Sequence, residues 1–208
     1  MSGRVVGRII STSLVLKMSK TMTVLGLGTR YEPRVFDRFI GSLYRTGYEG
    51  KVIIIGHECD RETFQWLKSR YPGRDLQLAL IASSTDGRHI TNKRFEFYEK
   101  WFRKGGVDTE LTMLSDIGDV MFQKNPQDYD FDFDLHVAIE SSAHRTRLIK
   151  DCPYNCGWIK RIAIEQPEYA VEVASVMNQP ILCAGTIFGK TAGVKTLVYE
   201  LNKRKQQE

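Results

Sequence analysis

The chain has no G-x-G-x-x-G stretch opening a helix and no G-x-x-x-x-G-K-[ST] stretch, so the two common glycine-loop solutions to phosphate binding are closed to it. No apolar run approaches the roughly 18 residues that a membrane-spanning helix needs. Cysteine is scarce. Cys59, Cys152, Cys156 and Cys183 are scattered, with neither the second close pair nor the neighbouring histidines that a structural zinc site requires. They read as reduced thiols of an intracellular protein, with a single Cys152 to Cys156 bridge as the minority alternative. Acid is missing altogether from residues 1–31, which carry Arg4, Arg8, Lys17, Lys20 and Arg30, and the other end closes on Lys203, Arg204 and Lys205. The net charge of +5 therefore sits largely in the ends. No aromatic-interleaved basic stripe runs through the near-neutral body, which argues against a nucleic-acid partner.

What is present is an alternation of strand and helix signals without internal repeat. Residues 1–20, Ser-rich and Arg-bearing, read as an N-terminal extension. At 208 residues the remainder, 21–208, suits one α/β domain. Residues 22–27 (MTVLGL) predict a first strand, followed by the turn Gly28-Thr29-Arg30-Tyr31-Glu32-Pro33. Pro33 suits a helix start, and Val35, Phe36, Phe39, Ile40 and Leu43 give a 3.6-period face up to Gly47. Residues 51–55 (KVIII) are a β-branched run suited to a strand buried on both faces. A helix over 61–71, a strand over 76–81, a polar loop over 83–88 and an aromatic helix over 90–102 follow. Such alternation implies right-handed crossovers and a mainly parallel central sheet with helices on both faces. Beyond Pro126 the rhythm changes. Residues 128–134 (DYDFDFD) read as a solvated edge, since they lack the glycine and terminal glutamate of a calcium loop. Residues 135–139 read as an edge strand, giving a small antiparallel elaboration in the C-terminal half. A helix over 168–177, a strand over 181–188 and a closing helix over 194–203 complete the chain.

The most informative stretch is ELTMLSDIGDVMFQKNP, residues 110–126. An apolar strand stops abruptly at Asp116-Ile117-Gly118-Asp119, and Val120, Met121 and Phe122 return at once to apolar character. Two carboxylates are thus held at a strand's carboxyl end, where ligands bind in open α/β sheets. Oxygen donors there suit a hard divalent cation that keeps waters and also takes substrate phosphates. The plainer alternative is an Asx turn whose aspartates cap backbone amides.

The stretch MLSDIGDVMFQKNP resembles the acidic motif of GT-A glycosyltransferases in its hhhDxxDVxFQxxP version, and the preceding Asn92-Lys93-Arg94-Phe95, with Tyr98 and Trp101, is similar to the helix before that motif. Downstream, Asp151-x-Pro-Tyr-Asn155-x-Gly-Trp158 and residues 180–189 (PILCAGTIFG) complete a pattern similar to sugar-nucleotide transferases of algae and their large DNA viruses. The spacing here is DxxD rather than the commoner DxD, and Gly118 stands where relatives often have arginine.

The resemblance implies a single GT-A (Rossmann-like) domain, with 21–119 as nucleotide-binding half and 120–208 as acceptor-side half. It implies a metal-dependent hexosyltransferase using a UDP-sugar donor and Mn2+ or Mg2+, acting on a sugar or glycan hydroxyl in the cytoplasm. A place within a longer multidomain polypeptide stays open. Asp119 matches the metal-binding acid and Asp116 the acid that contacts metal or ribose. Thr29, Arg30 and Tyr31 fall where uracil and ribose bind, with Tyr31 to stack on the base or else cover the sheet edge. Arg94 matches the basic residue that reaches the donor, its alternative being an ion pair with Glu96 or Asp108. Gly185 allows close backbone approach to a sugar. An inverting transfer needs a carboxylate to take the acceptor proton, for which Glu140 and Asp151 are the candidates; a retaining one needs neither. His136 and His144 stand as further ligands or, more simply, polar edge residues. Nucleotidyl transfer to a sugar phosphate and non-catalytic carbohydrate binding are the competing functions. The first is disfavoured because no Gly-rich phosphate loop follows the first strand.

Overall fold

A computed structural model describes residues 21–81, 90–130, 132–142 and 145–205. Strands β1 (Met22–Thr29), β2 (Lys51–His57), β3 (Leu76–Ile81) and β4 (Leu111–Asp116) alternate with helices α1 (Pro33–Arg45), α2 (Arg61–Arg70) and α3 (Ile90–Arg103). After β4 come β5 (Leu135–Ile139), the short pair β6 (Ser141–Ser142) and β7 (Arg145–Thr146), helices α4 (Pro153–Glu165) and α5 (Ala170–Val176), then β8 (Leu182–Lys190) and α6 (Thr191–Lys205). The six-stranded sheet has the order β3-β2-β1-β4-β8-β5. Its first four strands are parallel, and β8 runs antiparallel to both β4 and β5.

The period of two in the strands sorts the core into two layers. Val24, Val52, Ile54 and Met113 face α1 and α2, meeting Phe36, Phe39, Ile40, Leu43, Phe64 and Leu67. Their chain neighbours Leu25, Ile53, Ile55 and Leu114 face the opposite way, meeting Phe95, Tyr98 and Phe102 of α3 and Val194 and Val198 of α6. Continuous β-branched runs such as β2 are therefore what a two-sided burial demands, as their sequence predicts. Tyr48 ties the entry edge of the sheet together: its hydroxyl shares its one proton between Met22 O at 2.7 Å and Lys51 O at 3.0 Å.

Residues 153–165 form a helix that the sequence pattern does not announce, and no residue of α4 is buried. The described residues of 128–134 are exposed, as expected of a solvated edge: a 3-10 turn spans Pro126–Asp128, and pairing begins at Leu135. The extension 1–20, the loop 83–88 and His144 lie outside the described residues.

Candidate active site

The order of the sheet turns around between β1 and β4, where one chain direction of crossover gives way to the other. In open sheets, that switch point opens a crevice beyond the strand ends. The carboxyl end of β4 delivers Asp116 to Asp119 there, and the turn after β1 sets Tyr31 beside Gly118.

The acid turn is anchored from below. Ile117 is fully buried in the α1 side of the core, and Gly26 on β1 makes room for it, since a Cβ at Gly26 would meet Ile117 Cγ1 at 3.0 Å. Phe122 packs against Phe39 with ring centroids 5.2 Å apart, and its N–H donates to Ser42 Oγ at 3.0 Å. The Arg38 guanidinium donates to Gly118 O, and Tyr31 covers Gly118 so closely that a side chain there would strike its hydroxyl. Met121, expected to help anchor the turn, is exposed instead. Ile117 and Phe122 thus fix the acid turn from opposite sides.

Arg94, brought across by α3, donates from Nη1 to Asp116 Oδ1 at 2.6 Å and to Ala184 O at 3.3 Å. It thus pairs with the acid itself, while Asp108 takes Lys51 at 2.5 Å. The other carboxylate oxygen faces Gly185, where a Cβ would lie 2.9 Å from Asp116 Oδ2. Burial raises the pKa of Asp116 above the ordinary carboxyl value, Arg94 pulls it down and Asp119 pushes it up again. Burial also raises the Tyr31 phenol, helped by the same two acids.

These groups line a cleft of about 520 Å³, bounded by Arg94, Asp116, Asp119, Glu140, Arg147 and Gly185 among others. Glu140 enters from the end of β5, 3.7 Å from the Arg147 guanidinium. The backbone ladder Glu140 N–H to Ile181 O at 2.9 Å, Arg147 N–H to Glu140 O at 2.9 Å and Ile181 N–H to Arg147 O at 3.0 Å fixes the two residues on one ribbon. Asp151, the other candidate base, is exposed in the 3-10 turn Ile149–Asp151 and does not line the cleft. Thr29 and Arg30 do not line it either. The Arg30 side chain turns to Glu58, from a backbone with φ of 53°. Tyr31 packs edge-on against Phe36 at 6.0 Å between centroids and reaches the acid turn by its hydroxyl end.

Arg147, Tyr154, Asn155 and Trp158 also line the cleft, and sequence reasoning assigned them no role. The available signal was the i, i+4 spacing of Tyr154 and Trp158, which puts two aromatic rings on one helix face.

Two carboxylates meet here, and no group of three or more His, Cys, Asp or Glu that could hold a metal occurs among the described residues. His136 is placed elsewhere, its ring stacked on Phe188 at 5.2 Å. The donor set still fits a hard divalent cation that takes its remaining ligands from water and phosphate oxygens. A half-buried Asp116 whose charged form is disfavoured by burial gains from positive charge brought to it, and all four cysteines, which are free, are left out of the acid pair.

The mostly parallel mixed sheet flanked by helices has the GT-A fold of the solved glycosyltransferases it resembles. The likeness to solved structures is broad in extent and low in identity. The apo-form glycosyltransferase GlyE of Streptococcus pneumoniae TIGR4 matches at a TM-score of 0.52 and 14% identity, over 91% of this chain and 39% of its own. The apo WbbM bifunctional glycosyltransferase matches at 0.50 and 15%, over 88% and 33%. The galactosyltransferase LgtC, solved with donor and acceptor sugar analogs, matches at 0.49 and 11%, over 84% and 60%. This chain thus spans 39% of the length of GlyE and 33% of that of WbbM. No protein-family model matches the sequence, and no curated protein matches it.

Proposed function

We propose that the chain is a metal-dependent glycosyltransferase moving a hexose from a UDP-sugar to a sugar or glycan hydroxyl. Kinship with the algal and viral transferases and a single-domain organisation of 21–208, with a donor half and an acceptor half, belong to the same proposal. The observation that carries it is the Arg94–Asp116 pair beside Asp119 in a cleft at the sheet's switch point.

Asp116 and Asp119 are the residues that would hold Mn2+ or Mg2+, which when bound supplies charge neutralisation for the departing diphosphate. Arg94 has two tasks. It holds Asp116 in one orientation through a charge-assisted hydrogen bond, and its charge opposes the burial that raises the acid's pKa. Gly185 lets the β8 backbone approach the acid and the sugar together. In the transfer, the bond between the anomeric carbon and the diphosphate oxygen breaks, and the acceptor oxygen forms the new one. Glu140 is the carboxylate suited to take the acceptor proton, since it lines the cleft and Asp151 does not. Tyr31 and the end of β1 offer a ring and backbone to the uracil and ribose.

The test is calorimetry of UDP in the presence of manganese, with released UDP measured over a panel of sugar nucleotides. Asp119→Ala should abolish manganese-dependent UDP affinity. The unmodified chain should release UDP from at least one donor. Unchanged binding in the variant would remove the site assignment.

A further inference from the structure

Helix α4 exposes two large aromatic side chains, Tyr154 at 74% and Trp158 at 67% of their full accessibility. Being four residues apart, they lie on one face of the helix. That face is not turned to bulk solvent alone, for both residues line the same cleft as Asp116, Asp119 and Glu140.

The floor joining them to the acid pair is β8. At one end Leu182 pairs with Ile139, next to Glu140, and at the other Thr186 pairs with Ser115, next to Asp116. The two stations lie four positions apart on β8, across the point where the β5–β8 register shifts between Val137 and Ile139, and residues 182–186 between them all line the cleft. The start of α4 is set against the Glu140 end of this floor, because Leu148 bridges to Pro180 and Ile149 N–H donates to Gln179 O at 3.0 Å just before the helix begins. Asn155, between the two aromatics in sequence, lines the same wall, its Nδ2 3.2 Å from Cys152 Sγ.

A pyranose presents polar hydroxyls at its rim and an apolar C–H face. Exposed aromatic rings in a polar cleft match the second of these, and carboxylate, guanidinium and amide groups match the first. We propose that Tyr154 and Trp158 form a stacking platform for the acceptor's terminal pyranose, holding its hydroxyl toward Glu140 and the acid pair. The acceptor class is accordingly a saccharide with a flat C–H face, such as a β-linked glucoside or galactoside. The assignment of this sugar as acceptor rests on the transferase reading above.

Cellobiose and lactose serve as probes, with mannitol as an open-chain polyol that has hydroxyls but no ring face. Binding to the full chain is followed by saturation-transfer NMR, and UDP affinity with manganese is measured on the same samples. Both disaccharides, or one of them, should bind saturably with strongest transfer to ring C–H protons, and mannitol should not. Trp158→Leu should weaken the disaccharide by about tenfold, the upper range for an aromatic contact, while Trp158→Phe restores most of it. Trp66→Phe, on the remote α2, should change nothing. UDP affinity should be the same in all these variants. Equal disaccharide affinity in Trp158→Leu and Tyr154→Ala, or no saturable binding of either disaccharide, overturns the platform and leaves the donor site standing. Disaccharide binding that depends on Trp158 in a chain that fails to bind UDP upholds the platform as a saccharide site and sinks the transferase reading alone.

Discussion

Gly185 shows how narrow the tolerances of this cleft are. The backbone of β8 lies so near the acid turn that the smallest side chain would press on Asp116 Oδ2 at 2.9 Å, tighter than van der Waals contact allows. Gly185→Ala should therefore swing the Asp116 carboxylate off Arg94 and lower manganese-dependent UDP affinity, with the far-UV circular dichroism spectrum unchanged. Affinity equal to that of the unmodified chain would show that this approach has no part in binding. The position of both acids was legible in the sequence, because an apolar strand stops on two aspartates around a glycine, although the spacing alone left an Asx turn open as the alternative. The partner of Arg94 was not. Glu96 and Asp108 are nearer in the chain than Asp116, and only the crossover from α3 to β4 brings the more distant acid to 2.6 Å. Nor did spacing separate Glu140 from Asp151, whose difference lies in which of them the β5 ribbon turns inward.

Among the elements, α1 and α2 are clasped outside the core by Asp37. Its Oδ1 accepts from Arg70 Nε at 2.7 Å and from Tyr71 Oη at 2.5 Å. Burial acts to raise the Asp37 pKa, but the hydrogen bonds from Tyr71 and Arg70 and the charges of Arg70 and Arg45 outweigh it, so the net shift is downward. The linkage has the usual carboxylate sign. The stabilisation is fully present above the unfolded-state value near ~3.9 and is lost as pH falls through the lower folded value. Asp37→Asn should accordingly be less stable than the unmodified chain at neutral pH, with the difference shrinking on acidification through that window. Urea midpoints as a function of pH check this; a difference independent of pH would assign the loss to packing.

The same scale explains what the sequence disclosed of the fold. The first four strands announce themselves as short apolar runs, continuous where both faces are buried, and α1 by its 3.6-period face, since their apolar residues supply the two core layers. Helix α4 supplies neither, because its large side chains serve the cleft and the surface. Period reading finds helices that bury a face, and α4, though it lies against α5, buries no residue.

For the molecule as a whole, ligand binding and folding are one equilibrium. The cleft joins the end of β4, the residue after β5, the start of α4 and the strand β8, so a ligand seated there stabilises only the folded chain. At a ligand concentration of 100 times its Kd, the gain is about 2.7 kcal/mol. For a domain of this size each kcal/mol moves Tm by about 2–4 °C. Manganese and UDP together should thus raise Tm by roughly 5–11 °C, each alone by much less, and Asp119→Ala should erase the joint effect. A rise with UDP alone, as large as with both, would mean that the acids act without a cation.

The antiparallel strand β8 carries a consequence for evolution of the molecule. Because residues 182–186 of β8 line the same cleft as the acid pair and the aromatics of α4, the strand works as a ruler even though its register with β5 shifts alongside. Point changes can alter what is measured at either mark, but a residue gained or lost between Leu182 and Thr186 would slide the marks out of phase and turn alternate side chains upside down. Variation in this stretch should therefore come as substitutions of constant length, with insertions confined to the turns beyond its ends.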